Sequence, residues 1–377
     1  MVSDRAAANV RVLFVVPTLR GGGAERVMVT LLRHIDQRHM RCALVVVDGS
    51  DAVYRDQVPA NVELIDLCCT RVRYAVPRLV RLIREQQPDV VLSTLSHLNL
   101  ALALVKPLFP RTTRLIVREA FIVSLGINSY RYPAFWRSLY RWLSPRFDLV
   151  ICQSQHMLND FRQVTGLPPQ RTLVINNPVD LAAIDIALAG SGARAEGVPR
   201  PRAPLRLVAA GRLSLEKGFD ILIEAIALVP GSDTTVTILG EGPMESALRG
   251  LATSLGVGDR VAFAGFQYNP FAHFAAADAF VLSSRHEGFP NVVIEALACG
   301  TPVIATPAPG GTCEILEPIY QCEIAEAVTP GALAAAIERW RGRCVGRVAR
   351  GSVASFRASA ITHLYEDAIS SVLGHKP

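Results

Sequence analysis

Short, nearly continuous apolar runs alternate with helix-length amphipathic stretches from one end of this sequence to the other. In the first half the runs are Val10–Val16, Ala43–Val47, Val62–Leu67, Asp89–Leu92, Arg114–Val117 and Asp148–Cys152. After an Ala-, Gly-, Pro- and Arg-rich stretch from Leu181 to Pro204 the rhythm restarts with Leu205–Ala209, Thr234–Leu239, Arg260–Phe263, Ala279–Ser283 and Pro302–Ala305. Strands without polar alternation must be covered on both faces, and intervening helices supply the cover, so the pattern predicts parallel sheets in an α/β fold. Ile221, Leu222, Ala225, Ile226 and Val229 form one helical stripe, and Ile361, Leu364, Tyr365, Ala368, Ile369 and Val372 form another. A chain of 377 residues exceeds what one core usually organises. The expected division is a first doubly wound domain over 1–180, a linker over 181–204, a second doubly wound domain over 205–354, and a C-terminal helix over 355–377 packing back toward the first. Such folds bind ligands at the carboxyl edges of their sheets, here in a cleft between the two domains.

Composition narrows the function classes. Half of the residues are hydrophobic and 19% are charged, which excludes a disordered chain. The most apolar stretch, Val90–Val105, contains Ser93, Ser96, His97 and Asn99, so no membrane span is expected. The early run Val10–Val16 contains Arg11 and leads into glycines, and reads as a first strand rather than an export signal. The net charge is +6, and lysine occurs only at Lys106, Lys217 and Lys376. That balance favours anionic substrates and anionic membrane surfaces. The eight cysteines show no Cys-x-x-Cys pair and no zinc spacing, which fits a reducing cytoplasm and no bound metal.

Two loops combine features suited to phosphate. Gly21-Gly22-Gly23 follows the first strand and opens a helix, where glycines admit a close backbone approach and free N–H groups face an anion. A simple strand-to-helix turn is the plainer alternative. The Gly-x-Gly-x-x-Gly spacing of a dinucleotide site is missing, although Asp48 follows strand two, so an NAD-dependent oxidoreductase is a weak rival. In the second half, Arg212 and Lys217 share the loop between a strand and an amphipathic helix, two cations suited to a diphosphate. A solvated surface pair is the alternative there. Further on, Glu287 is expected in a loop and Glu295 on the second turn of the helix behind it. A carboxylate accepts hydrogen bonds from vicinal hydroxyls, as in ribose and hexose. The apolar neighbours Ile294, Ala296 and Leu297 predict that Glu295 is buried.

Together these stretches resemble the retaining glycosyltransferases of family 4, with a GT-B fold of two Rossmann-like domains. The resemblance rests on GGGAERV at 21–27, GRLSLEKGFDILIEA at 211–225, LGEGP at 239–243, AGF at 264–266 and SSRHEGFPNVVIEALACGTPVIAT at 283–306. It implies that Arg212 and Lys217 hold the donor diphosphate, and that Gly22 and Gly23 bring the first domain's backbone against it. Glu287 would meet the donor sugar, with the backbone of Gly288, Phe289, Asn291 and Val292 around sugar and phosphate. Glu295 would bind the ribose, His97 would lie by the donor sugar, and Gly240 and Glu241 near the nucleoside. The sequence departs from the family after Glu314-Ile315, where a glycine-rich turn is replaced by Glu317-Pro318-Ile319-Tyr320-Gln321-Cys322.

The reaction so implied moves a hexosyl or N-acetylhexosaminyl unit from a nucleotide sugar, UDP-linked, to a glycan acceptor with retained configuration. No metal or other cofactor is expected. The segment Tyr130–Leu143 interleaves aromatic residues with Arg131, Arg137 and Arg141, and with Trp136 and Trp142 it suits an anionic bilayer. An ordinary packed helix with solvated arginines is the alternative. The expectation is peripheral contact with the inner face of the cytoplasmic membrane and a lipid-linked glycan acceptor. No nucleic-acid motif accompanies the segment. Rival readings are a GT-B UDP-N-acetylglucosamine 2-epimerase-like enzyme, which needs no acceptor, and a non-catalytic nucleotide-sugar-binding subunit.

Overall fold

The computed structural model describes residues 10–189, 204–231, 233–343 and 345–374. The chain divides into two compact units: one runs to Pro178 and also takes in the chain from Ala358 on, and the other spans Val179–Arg357.

The first unit contains seven strands: β1 Val10–Thr18, β2 Met40–Asp48, β3 Glu63–Asp66, β4 Val90–Thr94, β5 Arg114–Arg118, β6 Leu149–Cys152 and β7 Thr172–Val174. All pairings are parallel, in the order β3-β2-β1-β4-β5-β6-β7. The chain winds outward in opposite directions from β1 and β4, so the topological switch point lies between them. Both faces of the sheet are covered. Along β1, Leu13 and Val15 pack with the helices Val72–Gln86, Ser96–Val105 and Gln155–Thr165, while Val12, Phe14 and Val16 pack with Gly23–His34 and Ala358–Val372. This two-sided burial explains the unbroken apolar runs. The C-terminal helix buries Ile361, Tyr365, Ala368 and Ile369 in the same cluster as Met28 and Leu32.

The second unit repeats the plan with β8 Leu205–Ala210, β9 Thr234–Leu239, β10 Val261–Phe263, β11 Ala279–Leu282, β12 Val303–Ala305 and β13 Glu323–Ile324, ordered β10-β9-β8-β11-β12-β13. Its switch point lies between β8 and β11. The stretch expected as a linker starts with a helix, Leu181–Ala189, whose Ile184 and Leu188 are buried against Phe280 and Leu297 of this unit. The rest of that stretch up to residue 203 lies outside the described residues. Two short edge strands, β7 and β13, were not expected from the sequence.

Candidate functional site

The loops that carry most of the expected residues leave the carboxyl ends of β1 and β4 in the first unit and of β8 and β11 in the second, while Gly240 and Glu241 follow β9. In the second unit, the loop after β8 makes a single tight turn over Leu215–Lys217, closed by Gly218 at φ 63°. A Cβ on Gly218 would lie 2.1 Å from the Ser283 carbonyl oxygen, so only glycine lets this loop touch the end of β11. Arg285 fastens the two loops. Its backbone N–H donates to Glu216 O (2.9 Å), and its guanidinium donates to Leu215 O (2.8 Å) and to both oxygens of Asp220 (2.8 and 2.6 Å). The Arg285 hydrogen bonds hold the Asp220 carboxyl below its ordinary value. Ser283 Oγ adds a hydrogen bond to Lys217 O (3.0 Å).

With the loops joined, Lys217 Nζ reaches both oxygens of Glu287, at 2.7 and 3.0 Å. Ser284 Oγ donates to the same carboxylate at 2.6 Å. The Glu287 side chain is 8% exposed and that of Lys217 26%, so the pair is largely withdrawn from solvent but open on the lysine side. A third loop braces the second: Glu287 N donates to Pro309 O (2.9 Å) and Gly311 N to Gly288 O (3.0 Å). Gly310, at φ 124°, lies so close to Glu287 O that any Cβ would overlap it. The sequence assigned Lys217 to phosphate and Glu287 to sugar as separate contacts; the structure joins them in one ion pair. An ammonium has three donors, so Lys217 keeps capacity for an anion. Arg212 is exposed, and among the described residues its guanidinium makes no ion pair or hydrogen bond.

Glu295 is buried in the helix Asn291–Ala298, which Pro290 precedes as its N-cap. Asn291 and Val292 occupy its first turn and are half-buried. Phe289 turns its ring inward against Phe356, leaving only its backbone for a ligand. Gly240, at φ 128°, would place a Cβ 2.0 Å from Gly211 O, which gives it a packing reason for being glycine. Glu241 is exposed, and its carboxylate accepts from Phe266 N at 3.4 Å.

Of the three consecutive glycines in the first unit only Gly21, at φ 105°, needs glycine's conformational freedom, while Gly22 caps and Gly23 opens the helix Gly23–His34. A Cβ on Gly22 would lie 2.1 Å from Glu25 Oε2, because the Glu25 carboxylate folds back over the loop and accepts from Thr18 Oγ1 at 3.0 Å. A buried carboxyl group therefore lies beside the loop expected to face phosphate. His97 stands in the first turn of the helix after β4 with its ring accessible at the surface. Surrounding protein atoms lower its pKa, and Glu25 acts in the opposite direction.

The expected membrane segment splits. Tyr132, Phe135 and Trp142 are exposed, as are Arg131 and Arg137, on or next to the helix Pro133–Leu143. Trp136 instead packs against the core of its unit and stacks on Tyr130 at 4.7 Å, and Arg141 Nε donates to Val164 O at 2.9 Å. Those two residues therefore also hold the fold. No described helix is long and apolar enough to cross a membrane. Among the described residues no three His, Cys, Asp or Glu side chains are grouped to share a metal ion. Sequence reasoning missed Ser284, the Asp220–Arg285 brace and the buried Glu119. Of these, Ser284 had a signal, three positions before Glu287 in the same loop.

Comparison with known proteins agrees with this architecture. The family description "Glycosyl transferases group 1" matches residues 196–341, and "Glycosyltransferase Family 4" matches residues 21–183. The chain is 26% identical over 314 residues, covering 79% of it and 81% of the relative, to the N-acetylgalactosamine-N,N'-diacetylbacillosaminyl-diphospho-undecaprenol 4-alpha-N-acetylgalactosaminyltransferase of Campylobacter jejuni. Over 100 residues it is 47% identical to the lipopolysaccharide core biosynthesis glycosyltransferase LpsE of Rhizobium meliloti, covering 26% of this chain and 29% of the relative. Among solved structures, HepE of Anabaena in complex with UDP superposes with a TM-score of 0.74 at 22% identity, over 96% of this chain and 100% of that one. Sucrose-phosphate synthase of Thermosynechococcus elongatus gives a TM-score of 0.76 at 18% identity, over 97% and 100%. The two family descriptions fall in the order of the two sheets and between them take in most of the chain, and the protein belongs to glycosyltransferase family 4, with the GT-B fold.

Proposed function

We propose that this chain is a retaining hexosyltransferase that moves a hexosyl or N-acetylhexosaminyl unit from a UDP-sugar to a lipid-linked glycan in cell-surface glycan biosynthesis. The observation that supports it most is the Lys217–Glu287 pair at the carboxyl edge of β8 and β11, held by Ser284 and the Arg285 brace. A fixed cation beside a fixed carboxylate suits a substrate that is a diphosphate at one end and a sugar at the other.

In this reading the bond between the anomeric carbon and the diphosphate oxygen breaks, and its electron pair goes to the leaving UDP. Lys217 and Arg212 stabilise the charge that develops there, the task a metal ion performs in other transferases. Such preorganised groups cost no reorganisation at the moment of reaction. Glu287 faces the oxocarbenium-like sugar and orients its hydroxyls. The acceptor hydroxyl adds to the face the diphosphate leaves, and its proton passes to the departing phosphate oxygen. Glu295 takes the ribose hydroxyls, Gly240 and Glu241 border the nucleoside, and the backbone at Gly22, Gly23, Gly288, Phe289, Asn291 and Val292 lines sugar and phosphate. His97 meets the donor sugar.

The donor and acceptor classes draw on the relatives: HepE was solved with UDP, and the Campylobacter enzyme's name specifies a diphospho-undecaprenol-linked acceptor. Nucleotide sugars screened by thermal stabilisation identify the donor. Transfer to a polyprenyl-diphosphate-linked glycan, with the new anomeric linkage read by NMR, then tests the rest. An inverted linkage overturns the retaining mechanism, and UDP release that does not depend on acceptor overturns transfer. Peripheral membrane contact on the cytoplasmic side rests on the exposed Arg131, Arg137, Tyr132, Phe135 and Trp142. Flotation with vesicles containing anionic lipid is expected for the native chain and reduced for Arg131→Ala/Arg137→Ala. Equal flotation of both, or none, contradicts it.

A further inference from the structure

The turn that presents His97 is strained. Leu95, between β4 and the helix Ser96–Val105, adopts φ 75° and ψ 126°. A non-glycine residue at such an angle is strained and persists only where its surroundings impose it. The surroundings here centre on one carboxylate. Glu119, at the end of β5 and only 1% exposed, accepts from Ser96 Oγ at 2.6 Å and from Asn99 Nδ2 at 3.0 Å. These two donors flank His97 on the first turn of its helix. Asn99 is itself fixed, donating to Arg118 O (3.0 Å) and accepting from Ser93 Oγ (2.7 Å). Glu119 is pinned by its backbone, its N–H donating to Ile151 O (3.0 Å) and its carbonyl accepting from Gln153 Nε2 (2.9 Å).

A purely structural role would make Glu119 the counter-ion of the buried Arg118. The geometry does not show that: the Arg118 guanidinium donates to Thr94 Oγ1 (3.1 Å) and Asn177 Oδ1 (2.5 Å), and among the described residues it makes no ion pair with Glu119. Arg118 acts on Glu119 through its charge alone, and the direct partners of the carboxylate are Ser96 and Asn99. We infer that Glu119 is the positioning residue for His97, its carboxylate clamping Ser96 and Asn99 so that the strained turn holds the imidazole in one place. This rests on the reading that His97 meets the donor sugar.

The clamp is sensitive to protonation. Both donors point at carboxylate oxygens, so the ionised form holds the turn and the protonated form loosens it. Burial pushes the Glu119 carboxyl up to about 7, against the opposing hydrogen bonds of Ser96 and Asn99 and the charge of Arg118. The other titratable groups around it are Tyr140 and Cys152, both pushed upward by burial and neutral at this pH, while Tyr365 faces Arg118. Glu25 is the charged group that acts on His97 itself.

The test needs no knowledge of the donor for its first part. The His97 imidazole resonance, assigned in the full chain by its loss in His97→Gln, is followed by NMR against pH in the native protein and in Glu119→Gln. The native resonance is expected to show a second inflection near neutrality that Glu119→Gln removes, and an unchanged titration overturns the clamp. The second part measures UDP release from UDP-N-acetylgalactosamine, UDP-N-acetylglucosamine and UDP-glucose in the presence of a polyprenyl-diphosphate-linked glycan acceptor. Glu119→Gln is expected to lower kcat about 10- to 100-fold with KM little changed, the cost of a misplaced group. His97→Ala/Glu119→Gln is expected to be no slower than His97→Ala alone. Multiplicative losses overturn the positioning role, whereas full turnover in His97→Ala overturns the reading of His97 and leaves the NMR result standing. Should Glu119→Gln fail to fold, Ser96→Ala removes one arm of the clamp and is read in the same way.

Discussion

Lys217 and Glu287, 70 positions apart in the chain, meet through both carboxylate oxygens at 2.7 and 3.0 Å. The pair binds the loops after β8 and β11 into one unit, so each residue has a structural and a chemical consequence when it is removed.

Replacing Lys217 by alanine is expected to lower turnover by roughly 10²–10³, the range for one preorganised electrostatic group. It also leaves Glu287 buried with Ser284 as its remaining side-chain partner among the described residues, so urea denaturation should show a loss of about 1–3 kcal/mol. Lys217→Ala/Glu287→Gln should recover part of that stability and none of the activity. Wild-type turnover in Lys217→Ala contradicts the assignment.

Gly218 is required in this site for backbone reasons, whereas Gly250 has no such reason. Gly218→Ala sets a methyl against Ser283 O at a positive φ, and should destabilise by more than about 1 kcal/mol and lower activity. Gly250→Ala, on an exposed helix face with nothing within 4 Å, should stabilise by about 0.5–1 kcal/mol and leave activity intact. Chemical denaturation of both variants compares them directly, and equal effects would show that the close approach of the two loops is wrong.

The buried carboxyl of Glu119 gives stability a definite pH dependence. Its folded-state pKa, about 7, lies above the ordinary value of 4.5, so the folded state binds more protons than the unfolded one between these values. The contribution is fully present at low pH and is lost as pH rises through about 7. Urea midpoints measured from pH 5 to 8 should therefore fall more steeply for the native chain than for Glu119→Gln. Parallel slopes would show that Glu119 does not titrate in this range.

The same residues show what was legible in the sequence. The central strands were visible because burial on both faces leaves no polar alternation, and the helix with Glu295 because its glycine and proline boundaries are local. The edge strands Thr172–Val174 and Glu323–Ile324 are too short to leave a pattern. The helix Leu181–Ala189 was taken for linker because it is apolar on nearly every side, so that the spacing of its buried Ile184 and Leu188 does not stand out. Lys217 and Glu287 were each identified from their loops, but nothing local foretells that they touch, since that depends on Gly218 admitting Ser283. Glu119 was hidden for the same reason: it directly follows an ordinary strand, and its meaning lies in Ser96 and Asn99, which only the sheet brings near. Leu95 gave no sign of its positive φ, because leucine is not a residue chosen for it.

Transfer from a nucleotide sugar requires that a diphosphate be held at Arg212 and Lys217. Calorimetric titration of UDP and of uridine into the native chain, Arg212→Ala and Lys217→Ala tests this without knowledge of the sugar or acceptor. UDP affinity is expected to drop about tenfold or more in each variant, one charge-assisted contact costing roughly 1.5–3 kcal/mol, while the weaker uridine affinity stays unchanged. UDP binding equally tightly to all three proteins would contradict it.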